Sequence, residues 1–162
     1  TLFTLTAAGI ELRNILFPAS VQSNTGASGK VAVTGVNCKL TGCRFECSGL
    51  DQLSAIQPTS TATGLRLERC TIISTAAAVA LRPAGGFVSS GNNSDLTLNG
   101  CVFSDGTVGF ASGYAFSTGA AIITRLQGEN NSLLLGAAMN ISPTSIGYLA
   151  GTIVTGGGSV QW

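Results

Sequence analysis

Apolar and polar residues recur along this chain in a nine-residue pattern. Four segments share it: GIELRNILF from Gly9, NCKLTGCRF from Asn37, GLRLERCTI from Gly64 and DLTLNGCVF from Asp95, with starts 28, 27 and 31 residues apart. The second position holds Ile10, Cys38, Leu65 and Leu96, and the fourth holds Leu12, Leu40, Leu67 and Leu98. The seventh holds Ile15, Cys43, Cys70 and Cys101, and the ninth holds Phe17, Phe45, Ile72 and Phe103. The positions between are mostly polar, with Glu11, Lys39, Arg66 and Thr97 at the third. Alternation of period two predicts a short strand with one face toward a core. The apolar spacing changes from two to three between the fourth and seventh positions, which predicts a bend and then a second strand. Asn14, Gly42 and Gly100 suit a tight corner there, and Arg69 is the exception.

A further strand precedes the first two segments. Phe3 and Leu5 stand before Gly9 at the distances at which Val31 and Val33 stand before Asn37. In the later repeats this strand is less clear, with AAAVAL and GGFVSS as its candidates. About three short strands per repeat is the size of one coil of a parallel β-solenoid, whose coils stack at roughly 4.8 Å and align equivalent residues in ladders. The expected fold is therefore all-β: a short parallel β-helix of about four clear coils over residues 1–105. From about Gly106 the register fails. SLLLGAAMN is a partial match, but its Ser132 lies 37 residues after Asp95. Residues 106–162 are expected to be β-rich, to cap the stack against edge-to-edge growth and to pack against sister chains, within one continuous domain.

Composition sharpens this picture. Charged residues make up 9% of the chain, against roughly 25% in an ordinary soluble domain. Residues 130–162 carry no charge at all. Such a surface suggests assembly into an oligomer or particle. The net charge of +1 offers no electrostatic reason for binding nucleic acid or an anionic membrane. Gly, Ser, Thr and Asn interrupt every apolar run before the roughly 18 residues of a membrane span. No basic region followed by an apolar stretch marks a signal peptide.

The ladder-forming repeats, with AAGIELRNILF near the start, resemble those of right-handed parallel β-helix proteins, and most of all the tailspike-like proteins of tailed bacteriophages. The resemblance covers roughly residues 1–105. It implies a homotrimer attached to a virion. Such a trimer acts as a host-glycan-binding spike, in some cases a depolymerase, or as a decoration protein on the head. The present chain departs from the enzymatic spikes in its short length and the lack of a long groove.

Candidate chemistry is sparse. Cys43, Cys70 and Cys101 share a ladder with Ile15, so they read as small buried apolar residues, free as thiols. Adjacent coils would also place Cys43 and Cys70 within reach of a disulfide. With no His in the chain, neither a His-containing metal site nor a Ser-His-Asp or Cys-His site can be built. The carboxylates are Glu11, Glu46, Asp51, Glu68, Asp95, Asp105 and Glu129. Glycoside hydrolysis needs two of them roughly 5 to 9.5 Å apart. Glu46 and Glu68 lie on adjacent repeats but at different positions, so no pair stands out. GASGK at 26–30 has only the flavour of a phosphate loop, because Val31 follows Lys30. Tyr114, Phe116, Tyr148 and Trp162 are candidates for inter-chain contacts, or for a sugar platform. No catalytic, cofactor or metal residue is expected. The expected function is a non-enzymatic, homotrimeric decoration or cement protein on the outer surface of a phage capsid. Its partner there is the major capsid protein or another virion protein. The alternative is a tail spike or fibre module that binds host-cell surface glycan.

Overall fold

In a computed structural model, the alternating segments form strands in a fixed order. The structure describes residues 3–19, 30–48, 55–75, 87–88, 93–104, 116–117, 123–134, 138–140, 147–151, 153–154 and 159–161. The first repeat supplies β1 (Phe3–Leu5), β2 (Glu11–Arg13) and β3 (Leu16–Phe17), and the second β4 (Val31–Val33), β5 (Lys39–Thr41) and β6 (Arg44–Cys47). The third supplies β7 (Ile56–Pro58), β8 (Leu65–Glu68) and β9 (Thr71–Ser74), and the fourth β10 (Phe87–Val88), β11 (Asn93–Asn99) and β12 (Val102–Ser104). Beyond these come β13 (Phe116–Ser117), β14 (Ile123–Glu129) and β15 (Ser132–Leu134), then β16 (Ala138–Asn140), β17 (Gly147–Ala150) and β18 (Ile153–Val154), and finally β19 (Ser159–Gln161). No helix occurs among the described residues.

Successive strands are dealt in turn to three parallel sheets. The first has the order β1-β4-β7-β10-β13-β16-β19, the second β2-β5-β8-β11-β14-β17 and the third β3-β6-β9-β12-β15-β18. The registers match the sequence pattern: Leu12 pairs with Leu40, Leu40 with Leu67, and Leu67 with Leu98. Phe17, Phe45, Ile72 and Phe103 form a second ladder. Thirteen of the sixteen ladder residues are buried, and Ile10, Leu12 and Ile15 are half-buried against the same core. All three of these exceptions belong to the first repeat, whose strands form one edge of every sheet. Leu5, Val31, Val33 and Ile56 fill the core from the first sheet. Phe17 and Phe45 stack with centroids 4.5 Å apart and planes 2° from parallel, and Phe3 meets Phe17 edge-on.

A left-handed residue at the sixth position explains the change in apolar spacing. Asn14, Gly42, Arg69, Gly100, Asn130 and Gly151 all have φ between 51° and 63°. One such residue turns the chain so that the fourth and seventh side chains both face inward. Arg69, the expected exception, adopts the same conformation with φ 51°. The corner keeps its backbone hydrogen bonds: Asn14 N–H donates to Thr41 O at 2.9 Å, Gly42 to Glu68 O at 2.9 Å and Arg69 to Asn99 O at 2.8 Å.

A second left-handed position opens the first three segments, with φ 71° at Gly9, 55° at Asn37 and 71° at Gly64. Gly9 and Gly64 share a conformation but not their surroundings. A Cβ on Gly9 would meet nothing within 4 Å, whereas one on Gly64 would overlap Asn37 Oδ1. Gly9→Ala should therefore cost about 1–2 kcal/mol, the backbone penalty alone. Gly64→Ala should cost roughly 1 kcal/mol more through overlap. Urea midpoints of the two variants check the difference, and Asn37→Gly in the Gly64→Ala background should recover the excess.

The pattern runs further than the sequence indicated. Leu96 pairs with Leu126, Leu98 with Gly128 and Phe103 with Leu133, so a fifth repeat begins at Arg125, 30 residues after Asp95. Ser132, the start of the partial match, instead lies opposite Val102 in the third sheet. A sixth repeat follows, with Gly147 opposite Leu126. The described strands after residue 105 thus extend the same three sheets. Ile56–Pro58 is the upstream strand of the third repeat, and Phe87–Val88 within GGFVSS is that of the fourth. AAAVAL lies outside the described residues.

Candidate functional site

The outward positions of the second sheet collect most of the polar chemistry. Its third-position row pairs Glu11 with Lys39, Lys39 with Arg66, Arg66 with Thr97 and Thr97 with Gln127. Beside it, Asp95 pairs with Arg125. Asn37, Gly64, Arg66, Asp95, Thr97, Arg125 and Gln127 line a groove of about 330 Å³ across these repeats. Gly64 supplies no side chain and Thr97 only a short one, so the gap lies between longer neighbours. The lining holds no aromatic or aliphatic side chain.

Ion pairing is uneven within this row. Lys39 Nζ lies 2.7 Å from a Glu68 carboxylate oxygen. Arg125 Nε donates to Asp95 Oδ1 at 2.6 Å, which raises the pKa of Arg125 above its ordinary value. Arg66 is exposed and has no ion pair among the described residues. Its direct neighbour in the row is Lys39, so two like charges sit side by side while the nearest carboxylates serve other cations.

The other carboxylates are similarly engaged. Arg13 donates to Glu11 at 2.8 Å and Thr41 Oγ1 donates to it at 2.9 Å. Both bonds hold the Glu11 pKa below the usual carboxylate value, the Arg13 bond contributing most. Arg44 donates to Glu46 at 2.9 Å on the third sheet. Glu46 on β6 and Glu68 on β8 therefore stand on different sheets, each beside its own cation. Asp51 and Asp105 lie outside the described residues.

The cysteines take a structural part. Cys38, Cys43, Cys47, Cys70 and Cys101 are all buried free thiols. Cys47, whose setting the repeat pattern leaves open, lies on β6 opposite Ser74. In the seventh-position ladder each thiol donates to the fourth-position carbonyl of the preceding repeat. Cys43 Sγ reaches Leu12 O at 3.6 Å, Cys70 Sγ reaches Leu40 O at 3.3 Å and Cys101 Sγ reaches Leu67 O at 3.4 Å. The fifth repeat replaces the thiol with Asn131, which is fully buried. Its Nδ2 donates to Leu98 O at 3.0 Å, and its Oδ1 accepts from the Cys101 N–H at 3.0 Å. From the second to the fifth repeat the ladder residue is thus a donor to a fourth-position carbonyl, a role the sequence pattern alone did not reveal.

Desolvation raises the pKa of Cys38 and Cys43. A hydrogen bond shared by Cys70 and Cys101 favours ionisation at Cys70 and disfavours it at Cys101, and desolvation opposes it at both. Because all five thiols are buried away from the reagent, iodoacetamide at neutral pH should leave all five unmodified in the folded protein and label all five after denaturation. Rapid labelling of the folded protein, checked by intact mass, would contradict this.

The remaining expected residues are dispersed. Phe116 lies on β13 and Tyr148 on β17, in different sheets, while Tyr114 and Trp162 lie outside the described residues. Lys30 ends buried, its ammonium donating to Pro18 O, and residues 26–29 of GASGK lie outside the described residues. Among the described residues, no group of three or more Cys, Asp or Glu has a metal-binding arrangement. No protein-family model matches the chain, and no curated protein or solved structure matches it.

Proposed function

We propose that the three sheets are the faces of a right-handed parallel β-helix and that the chain is a non-enzymatic structural protein of a virion. In this reading it is a homotrimeric decoration or cement protein on the outer surface of a tailed-phage capsid. It is bound there to the major capsid protein or another virion protein and needs no cofactor. The strand order supports the helix, because each sheet gains one parallel strand every third element. The observation that carries the assembly role is the segregation of charge. The outward row of the first sheet begins with Thr4, Ala32 and Gln57, and the backbone register places Val88, Ser117, Asn140 and Gln161 at the positions that follow. None is charged, while the second sheet carries Glu11, Arg13, Lys39, Arg66, Glu68, Asp95, Arg125 and Glu129. A charge-free face can pack against a neighbour without desolvating an ion. The C-terminal strands, which form the last layer of each sheet, contact the sister chains.

Copy number in purified particles tests this reading, because a cement protein should be present in hundreds of copies. Particles lacking it should lose resistance to heat. A few copies confined to the tail, with shells of unchanged stability, would overturn it.

The groove on the second sheet favours a second reading, recognition of a host-cell surface glycan. Its all-polar lining of Asn37, Arg66, Asp95, Thr97 and Gln127 suits hydroxyl-rich ligands. Adsorption of the isolated protein to cells, blocked by purified surface polysaccharide, would support it. Absence of adsorption would remove it.

A further inference from the structure

Resting on the glycan-binding reading, we propose that the groove selects a carboxylate-bearing sugar, with the acidic group held by Arg66 and the hydroxyls by Asn37, Thr97 and Gln127. Three observations combine. First, the groove spans the second to fifth repeats and is lined by polar groups and Gly64 alone, so it has no wall for an apolar ligand. Secondly, the carboxylates near Arg66 are already committed, Glu68 to Lys39 and Asp95 to Arg125. Arg66 is left as an uncompensated cation with Lys39 directly beside it. Thirdly, a guanidinium presents a planar fork that matches a carboxylate with two parallel hydrogen bonds.

Neutral sugars satisfy the amides and the hydroxyl of the lining but leave this charge unused. A carboxylate-bearing sugar satisfies both. Free inorganic anions share the charge and lack the hydroxyls, which separates the two sources of the same interaction.

Calorimetric titration tests the proposal with three probes: oligogalacturonate, a neutral malto-oligosaccharide of equal length, and inorganic sulfate. Oligogalacturonate should bind, the other two should bind at least tenfold more weakly, and added salt should weaken the acidic ligand. Arg66→Gln should lower the affinity for oligogalacturonate by about tenfold or more, since a hydrogen bond to a charged group is removed. Arg44→Gln, a change on the third sheet, should not lower it. Because Arg66 is exposed, Arg66→Gln should unfold at the parent temperature, which shows that lost binding is not lost folding. Equal binding of acidic and neutral oligosaccharides, unaffected by Arg66→Gln, would overturn carboxylate selection while leaving glycan binding in place. No binding of either oligosaccharide would overturn both, and sulfate binding as tightly as oligogalacturonate would reduce the groove to an anion site.

Discussion

Phe45→Ala is expected to destabilise the protein by about 3–5 kcal/mol, the range for removing a large buried aromatic side chain. Phe45 is fully buried, stacks on Phe17 at 4.5 Å and lies opposite Ile72 in the next repeat. Truncation opens a void with a ladder residue on each side, and neighbouring repeats are held by backbone hydrogen bonds that limit their collapse onto it. Phe3→Ala offers the comparison, since Phe3 is 44% exposed and meets Phe17 only edge-on. Its cost should stay near 1 kcal/mol, the scale of one aromatic pair plus partial burial. Urea unfolding of both variants measures the contrast. Similar costs would mean that the Phe17–Phe45 stack is not a central part of the core.

Asn131→Leu is expected to lower stability by about 2 kcal/mol, although Leu is the more hydrophobic residue and the site is fully buried. The substitution removes the Asn131 Nδ2 hydrogen bond to the Leu98 carbonyl, a ladder carbonyl between β11 and β14, and strands the buried Cys101 N–H, whose partner is Asn131 Oδ1 at 3.0 Å. The stranded N–H costs about 1–3 kcal/mol and the lost bond to the carbonyl about 1 kcal/mol, and added apolar burial offsets part of the sum. Asn131→Cys should be milder. A thiol there would reproduce the donor of the earlier repeats toward the carbonyl and would leave only the N–H unmet. The order parent, Asn131→Cys, Asn131→Leu in urea midpoints is the check. A more stable Leu variant would show that the ladder selects only for apolar volume.

The same residue shows where the sequence was readable and where it was not. In the first four repeats every inward position is apolar, so strand, face and register follow from spacing alone. The fifth repeat keeps Leu126 and Leu133 at the second and ninth positions but places Gly128 and Asn131 at the fourth and seventh. Half its hydrophobic marks are gone, and a search by hydropathy passes over it. What persists is backbone geometry, a left-handed corner at Asn130 like those before it. Arg69 makes the same point, because a residue with no special tendency toward positive φ occupies the corner its repeat imposes. Ile56–Pro58 was unclear for a related reason: Pro58, a residue poorly suited to a strand interior, takes the place of Val33.

The candidate site was harder to read than the core. The Glu11, Lys39 and Arg66 row follows from the repeats and is present in the structure. The groove also needs Arg125 and Gln127, which join it only through the unrecognised fifth repeat. That Lys39 pairs with Glu68, and so leaves Arg66 uncompensated, depends on side-chain reach across repeats, which spacing does not encode.

Continuous stacking through the fifth repeat can be measured directly by electron–electron distance in a chain spin-labelled at Glu11→Cys and Gln127→Cys. The five native thiols are buried and stay unlabelled. The two sites are four register steps apart, through Lys39, Arg66 and Thr97. At roughly 4.8 Å per step, labelled protein diluted in unlabelled protein should give a narrow distribution centred near ~19 Å. A broad distribution, or a mean far beyond that reach, would contradict a stack that continues in register past residue 105.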